Sequence, residues 1–273
     1  MNWTMYKIVL DLKSPLHVGT GRVGNLQLAR PYLIGKTLWG ALTARITRDT
    51  RPGATGSDYQ EIGDQIKEQL AFSYFYPAIK EEVDVWPWGD GTDEFDWRYM
   101  DTYAATARNP RHNTALQGGL YETEFIAPTT RDGDPVRLIG YIFEHDGCPL
   151  PWREALPRLQ LGGERTYGWG CVRVKDLLVQ ALFFQGWDVT LNADRPVLQA
   201  KDSEARLLAH TVATDSNEPA GVRGAVEPLV GRETRRAGRH GENIPRARIC
   251  WKPGASVQDT QVRIEAHGVW EFD

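Results

Sequence analysis

The sequence predicts an α+β protein built on an antiparallel sheet with helices packed on one face. Residues 5–12 alternate between apolar and polar side chains, which is the pattern of a half-buried strand. Residues 36–48 place Leu38, Leu42 and Ile46 four positions apart, on one face of a helix. The C-terminal third of the chain shows mostly strand patterns. Mixed elements followed by a run of strands are typical of the α+β class.

The remaining elements follow from the same two periodicities. In chain order we predict a loop at 51–58, a helix at 59–72, strands at 120–126 and 136–143, a short helix at 152–161, and strands at 171–174, 177–191, 205–213, 246–251 and 261–272.

An acidic segment at 81–101 separates the predicted helices from the next strands. It carries eight carboxylates and one arginine, interleaved with five aromatic side chains. Its carboxylates do not follow the spacing of a calcium-binding loop, which disfavours a divalent-metal site. Because charged runs usually face water, we predict a surface insertion.

Composition limits the function classes. The chain has 273 residues, 41% hydrophobic residues and a net charge of −4, so it is a globular protein without the overall basicity of a simple nucleic-acid binder. Its three cysteines lie far apart, without zinc-type spacing, which favours a reducing cytoplasm over a disulfide scaffold. Neither a signal peptide nor a membrane-spanning run is apparent. We therefore expect a cytoplasmic protein with no metal and no cofactor.

The most informative stretch is the glycine loop, residues 162–170. Four of its nine residues are glycines, which tolerate positive φ and allow close approach of the backbone to a ligand. Arg165, Tyr167 and Trp169 lie between them. Backbone amides, a cation and two aromatic rings suit a phosphate chain with stackable bases. The alternative is a tight turn whose glycines serve geometry alone.

Two other segments are candidates for binding. The glycine-rich loop predicted at 17–24 contains the G-x-G-x-x-G pattern at 19–24, but no helix opens directly after the last glycine, which disfavours a dinucleotide site. Residues 232–248 contain six arginines and two glutamates. Arginine forks match phosphate geometry, although an exposed loop of chance basicity is the alternative.

Four segments, taken in order, resemble the RAMP superfamily of CRISPR-associated proteins. The first strand runs into Ser-Pro-Leu-His-Val-Gly-Thr-Gly at 14–21. The stretch Pro-Tyr-Leu-Ile-Gly-Lys-Thr-Leu-Trp-Gly-Ala-Leu at 31–42 is similar to the family element that opens its first helix. The strand Gly-Leu-Tyr-Glu-Thr-Glu-Phe at 119–125 and the glycine loop complete the set. The resemblance spans about residues 5–175.

This resemblance implies an RRM-like, or ferredoxin-like, βαββαβ core in residues 1–175, with the acidic insertion near 78–112. Residues 176–273 would form a β-rich C-terminal extension or a second, degenerate RRM-like half. The implied partners are CRISPR RNA, other subunits of a type III-like effector complex and, through the complex, a target nucleic acid, with no membrane. The residues expected to contact RNA are His17, Gly19, Gly21, Arg22, Lys36, Trp39, Arg45, Gly162, Gly163, Arg165, Tyr167, Gly168, Trp169, Gly170, Arg232, Arg235, Arg236 and Arg239.

Catalysis is disfavoured by one departure from the family. Family members that cut target RNA carry an aspartate in the loop before the 31–42 element, whereas residues 22–30 contain no acid. We therefore expect a non-catalytic RNA-binding subunit. Two alternatives stay open: a CRISPR RNA-processing endoribonuclease with His17 as its base, and an assembly subunit that docks a basic partner through the acidic segment.

Overall fold

A computed structural model of the chain describes residues 2–83, 92–109, 111–179, 183–184, 186–201, 205–213, 219, 221–233 and 243–273. The strands are β1 (Trp3–Leu12), β2 (Gly19–Val23), β3 (Leu26–Ala29), β4 (Leu70–Phe72), β5 (Tyr76–Ile79), β6 (Glu82–Val83), β7 (Met100–Asn109), β8 (Thr114–Ile126), β9 (Val136–His145), β10 (Val172–Val179), β11 (Phe183–Phe184), β12 (Trp187–Thr190), β13 (Val197–Ala200), β14 (Ala205–Arg206), β15 (Thr211–Val212), β16 (Val226–Glu233), β17 (Asn243–Trp251), β18 (Ser256–Val257), β19 (Gln261–Ile264) and β20 (Trp270–Phe272). The helices are α1 (Gly35–Thr50), α2 (Gly56–Gln69), α3 (Thr92–Tyr99) and α4 (Trp152–Ala155), with 3₁₀ turns at Leu156–Arg158, Arg165–Tyr167 and Ala266–Gly268.

The first sheet has the strand order β10–β1–β9–β5–β6, and β4 also pairs with β9. Its pairs are antiparallel. In the chain, α1 and α2 lie between β1 and β4, and α4 lies between β9 and β10. The predicted α+β class with an antiparallel sheet is therefore confirmed.

Helices cover one face of this sheet. Ile8 and Leu10 of β1 pack in a single buried cluster with Leu38 and Leu42 of α1 and with Ile66 of α2. These side chains are fully buried. The four-residue spacing in the sequence thus marks the face of α1 that packs on the sheet.

The C-terminal strands cover the opposite face of the same sheet. Trp3 and Met5 of β1 and Phe143 of β9 lie in one buried cluster with Trp187 and Trp270 of the C-terminal region. Both faces of the first sheet are therefore protein core at these positions. A ligand can reach this part of the molecule only at the sheet edges and the loops.

Two further sheets complete the described architecture. A four-stranded sheet has the order β2–β3–β8–β7, and most side chains of its long β7 strand are exposed. The eight-stranded C-terminal sheet has the order β11–β12–β13–β19–β20–β15–β17–β16, which places β16 at an edge. The predicted β-rich C-terminal region is confirmed.

Several predicted elements were wrong in extent. The helix predicted over 59–72 ends at Gln69, because residues 70–72 pair with β9 as a strand. The helix predicted over 152–161 is one α-turn followed by a 3₁₀ turn, since Pro157 cannot donate a helical hydrogen bond. Residues 19–23 form an exposed strand of a hairpin, although the glycines there predicted a loop.

Candidate functional site

The glycine loop is fastened to the segment that follows β1. The amide of Gly163 donates to the His17 carbonyl at 2.9 Å, and the amide of Gly170 donates to the Pro15 carbonyl at 2.7 Å. The Cys171 amide donates to Ser14 Oγ at 2.9 Å. Two loops that are distant in sequence therefore form one continuous surface.

Close packing explains two of the glycines. Gly162 has φ +74° and a side chain there would place its Cβ 2.4 Å from the His17 carbonyl oxygen. Gly170 has φ +76° and its Cβ would lie 1.7 Å from the Leu161 carbonyl oxygen. Gly168, by contrast, has φ +83° and open space around it. The ends of the loop are thus wedged against protein, while its middle is presented to solvent.

The exposed middle of the loop carries the predicted cation and one predicted aromatic. Arg165 and Tyr167 are exposed, and Tyr167 is 73% exposed. The Gln160 amide nitrogen donates to the carbonyls of Arg165 at 2.9 Å and of Trp169 at 2.8 Å. These hydrogen bonds fix the backbone on both sides of Tyr167, so its exposed ring projects from a rigid segment of the loop.

Trp169 joins the glycine loop to the β7–β8 hairpin. Its ring packs edge-on against Phe125, with ring centroids 5.1 Å apart, and against Tyr103, at 6.0 Å. Burial and the neighbouring phenol of Tyr167 raise the pKa of Tyr121 on the same strand as Phe125. The predictions omitted these three hairpin residues. A signal was present, because Tyr121 and Phe125 alternate on one face of the predicted strand at 120–126.

His17 is buried beneath the two loops. It is 8% exposed, and its Nδ1 lies 2.7 Å from the carbonyl oxygen of Glu124. A carbonyl only accepts, so Nδ1 carries the proton and donates. Gly19 is wedged beside the ring, since a Cβ there would lie 3.0 Å from Nε2. The ring therefore links β8 to the two loops.

The β2–β3 hairpin carries the other residues predicted in the 17–24 segment. Gly21 and Arg22 are exposed on β2. Arg22 Nε donates to the Gly24 carbonyl at 2.7 Å, which holds this guanidinium at the turn of the hairpin.

The predicted residues of α1 make contacts with other protein groups. Trp39 Nε1 donates to the Gly63 carbonyl of α2 at 2.8 Å, and its ring lies 4.6 Å from that of His267. Lys36 Nζ lies 5.8 Å from the centre of the Trp39 ring. Arg45 forms an ion pair with Asp49, one turn along α1. The structure places these three residues in helix packing and surface ion pairing.

The predicted arginine cluster is only partly placed. Arg232 lies on β16, and nothing is described of its side chain. Arg235, Arg236 and Arg239 lie outside the described residues. Their contact with RNA stays a prediction.

A buried polar chain, also absent from the predictions, connects the core to the C-terminal sheet. Arg30, which is 8% exposed, donates from Nη1 to Glu227 Oε1 at 2.5 Å. His210 is fully buried, accepts from the Tyr74 hydroxyl at Nδ1 (2.7 Å) and donates from Nε2 to Glu227 Oε1 (2.5 Å). Burial would raise the pKa of Glu227, but hydrogen bonds from His210 and Arg30 lower it to about 2. Burial lowers the pKa of His210, which favours the neutral form of its ring.

Arg30 and Glu227 of this buried polar network also line a cleft of about 400 Å³. Its walls are Thr20, Ala29, Arg30, Pro31, Tyr32, Asp96, Met100, Asp101, Thr102, Glu124, Arg131, Glu227 and Lys252. Within the described ranges, no group of three or more histidine, cysteine or acidic side chains is arranged to hold a metal ion. No described helix is long and apolar enough to cross a membrane.

Residues 9–173 match the family model of the RAMP superfamily. The chain belongs to the RAMP superfamily. The RAMP match begins within β1 and ends within β10, so it contains both fastened loops and the β7–β8 hairpin. The C-terminal sheet lies beyond the matched RAMP region. No curated protein matches the chain by sequence.

Solved structures resemble this RAMP protein in fold. A chain in a cryo-EM structure of the type III-B Cmr-beta complex, bound to cognate target RNA and AMPPnP, superposes with a TM-score of 0.50. Its sequence identity is 11%, over 93% of this chain and 86% of that one. A further chain from Cmr-beta bound to cognate target RNA gives a TM-score of 0.42 at 11% identity, over 62% of this chain and 96% of that one.

Proposed function

We propose that this RAMP protein is a CRISPR RNA-binding, non-catalytic subunit of a type III-like effector complex. One observation carries the proposal: the glycine loop and the segment at 14–19 hold each other through Gly163, His17, Gly170 and Pro15. Family membership and the fold shared with a chain of the Cmr-beta complex support it. That complex was determined with target RNA bound.

The glycine loop supplies the groups that single-stranded RNA needs. Arg165 and Tyr167 are both exposed on this loop, and Gln160 fixes the backbone on both sides of Tyr167. An aromatic ring stacks on a base regardless of its identity, and a guanidinium pairs with phosphate. We therefore assign base stacking to Tyr167 and phosphate contact to Arg165.

The surroundings of His17 support a non-catalytic role. A general base must reach the hydroxyl whose proton it removes. Here Nδ1 is engaged with the Glu124 carbonyl, and Nε2 faces the Gly19 backbone in a residue that is 8% exposed. Residues 22–30, which run from the end of β2 through β3 to Arg30, contain no acid. The position of His17 fits a residue that shapes the RNA surface.

A binding measurement tests the assignment of Tyr167. Loss of one base–aromatic stack costs about 1–3 kcal/mol, so Tyr167→Ala is expected to weaken binding of a CRISPR repeat RNA roughly 5- to 150-fold. Trp97→Ala is the matched control, because Trp97 is also an exposed aromatic residue, at 52%, but lies on α3. Fluorescence anisotropy at constant salt measures both. Equal effects of the two substitutions would contradict the proposal.

A further inference from the structure

Glu164 is the one acidic residue of the glycine loop, and its backbone is unusual. It has φ +53° and ψ +25°, which is the left-handed conformation. Glycine and asparagine adopt this conformation readily, whereas other residues adopt it only at a cost. Glycines stand at four other positions of the same loop. Outliers of this kind are concentrated at functional sites, so the presence of a glutamate here calls for a contact that needs its side chain.

The carboxylate of Glu164 is not engaged within the protein. The residue is half-buried, and in the part of the chain that the structure describes no hydrogen bond or ion pair joins its carboxylate to another residue. Its backbone carbonyl, in contrast, accepts from the amide of Tyr167 at 2.9 Å and closes the turn that carries the Tyr167 ring. A half-buried carboxylate has lost part of its hydration, so a donor from a ligand would bind it favourably.

The carboxylate lies on the side of the loop that carries the proposed stacking ring. Burial and the phenol of Tyr167 raise the pKa of Tyr121, and the negative charge of Glu164 adds to this rise. Tyr121 is therefore a common neighbour of the Tyr167 phenol and the Glu164 carboxylate. Residues 164 and 167 are also joined by the hydrogen bond of a single turn. A base stacked on Tyr167 would thus present its edge to Glu164.

The chemistry of a carboxylate matches the edge of a base and not a phosphate. Phosphate oxygens are negatively charged and would be repelled by Glu164, while Arg165 supplies the cation of the loop. Proteins that bind single-stranded RNA often read the Watson–Crick edge of a base that is stacked on an aromatic ring. An ionised carboxylate has two acceptor oxygens and no donor. The preferred base is therefore the one with the most donors on that edge.

Guanine is that base. Its Watson–Crick edge carries two adjacent donors, N1–H and N2–H, which match the two oxygens of a carboxylate. Adenine and cytosine each offer one amino group beside a ring nitrogen that only accepts. Uracil offers one N–H between two carbonyl oxygens, and these oxygens would face the carboxylate unfavourably.

We propose that Glu164 is a specificity-determining residue, which selects guanine at the position stacked on Tyr167. Its two carboxylate oxygens accept from guanine N1–H and N2–H as a bidentate pair. This inference rests on the proposed function, because it requires that Tyr167 stacks on a base of bound RNA. The glycine loop then combines a sequence-independent contact, through Arg165, with one position at which the sequence is read.

Binding of short RNAs to the full-length protein tests the selection. The probes are single-stranded oligouridines of equal length whose central base is uracil, guanine, adenine, cytosine or hypoxanthine, and fluorescence anisotropy at constant salt gives their affinities. The guanine probe is expected to bind about 5- to 150-fold more tightly than oligouridine. Stacking alone favours any purine, so hypoxanthine, a purine that lacks the N2 amino group, isolates the edge contact. Equal affinities of the guanine and hypoxanthine probes would overturn the proposal.

A substitution provides the second test. Glu164→Gln replaces one acceptor oxygen by an amide donor, which suits uracil and removes half of the guanine contact. The ratio of guanine to uracil affinity is expected to fall at least about fivefold. Glu68→Gln is the matched control, because Glu68 is an exposed glutamate on α2 and its replacement removes the same charge. Thermal unfolding should be unchanged in both variants. An equal ratio in the two variants would refute the inference.

The same probes separate this inference from the proposed function. Weaker binding of every probe by Tyr167→Ala tests the stacking contact alone. Binding that depends on Tyr167 but not on the central base contradicts only the role of Glu164. Failure of the wild type to bind any of the five probes contradicts both.

Discussion

Replacing Gly170 by alanine should destabilise the protein far more than replacing Gly168. Both glycines have positive φ, of +76° and +83°. A non-glycine residue in that region costs about 1–2 kcal/mol, partly offset by about 0.4–1 kcal/mol from the less flexible unfolded chain. Gly168→Ala should therefore cost about 1 kcal/mol, because no atom lies within 4 Å of the added Cβ.

At Gly170 the added Cβ would overlap the Leu161 carbonyl oxygen at 1.7 Å. The backbone must move, which strains the hydrogen bonds from the Gly170 amide to Pro15 and from the Leu161 amide to Gly170. Each such bond contributes about 0.5–1.5 kcal/mol and overpacking costs about 1–3 kcal/mol, so together with the cost of positive φ the total loss should be about 3–7 kcal/mol.

Urea unfolding followed by tryptophan fluorescence measures the two losses as changes in the free energy of unfolding. The wild type and Gly168→Ala are the references. A difference of less than about 1 kcal/mol between the two variants would refute the argument that close packing, rather than φ alone, requires glycine at position 170.

Three further predictions concern charge and chemistry. Replacing Arg235, Arg236 and Arg239 together by alanine should weaken RNA binding. It should also reduce the steepness with which log affinity falls with log salt concentration, by up to about three phosphate contacts' worth, or about one per arginine. An unchanged salt dependence would show that these arginines do not contact RNA. The folded-state pKa of Glu227, about 2 against an ordinary 4.5, means that the unfolded chain binds the proton first as pH falls. The wild type should therefore lose stability between about pH 4.5 and 2 more steeply than Glu227→Gln, as measured by thermal unfolding; parallel curves would exclude this contribution. Incubation with repeat RNA in EDTA should give no cleavage, and a cut that His17→Ala abolishes would establish the endoribonuclease alternative.

Local periodicity was sufficient for elements whose apolar face packs on the first sheet. Residues 5–12 and 36–48 were predicted correctly because one face of each is continuously apolar and meets the core. The exposed strand at 19–23 has no apolar face, so its glycines were the only local signal and they indicated a loop. Residues 70–72 had helical periodicity, but their pairing with β9 decides their conformation. Pairing with a strand that is distant in sequence cannot be inferred from a short stretch of residues.

The candidate site divides in the same way. The glycines, Arg165 and Tyr167 could be selected from the sequence as candidate site residues, because each residue type suits RNA contact without help from distant parts of the chain. Trp39 has an equally suitable residue type, but the structure uses its indole to join α1 to α2. Arg30 contacts His210 and Glu227, which lie 180 and 197 positions further along the sequence. Such groupings are set by the packing of the C-terminal sheet on the core, which sequence spacing does not encode.

That packing has a consequence for how the molecule folds. Trp3, Met5, Tyr141 and Phe143 of the first sheet share their buried cluster with Trp270, near the C-terminus. A fragment ending at residue 175 would expose these large apolar side chains to water and would leave Arg30 without Glu227. The N-terminal and C-terminal regions therefore depend on one another for stability, and we expect the chain to unfold in one cooperative transition. Synthesis of the last strands then becomes the step at which the glycine loop and the segment at 14–19 acquire a stable support.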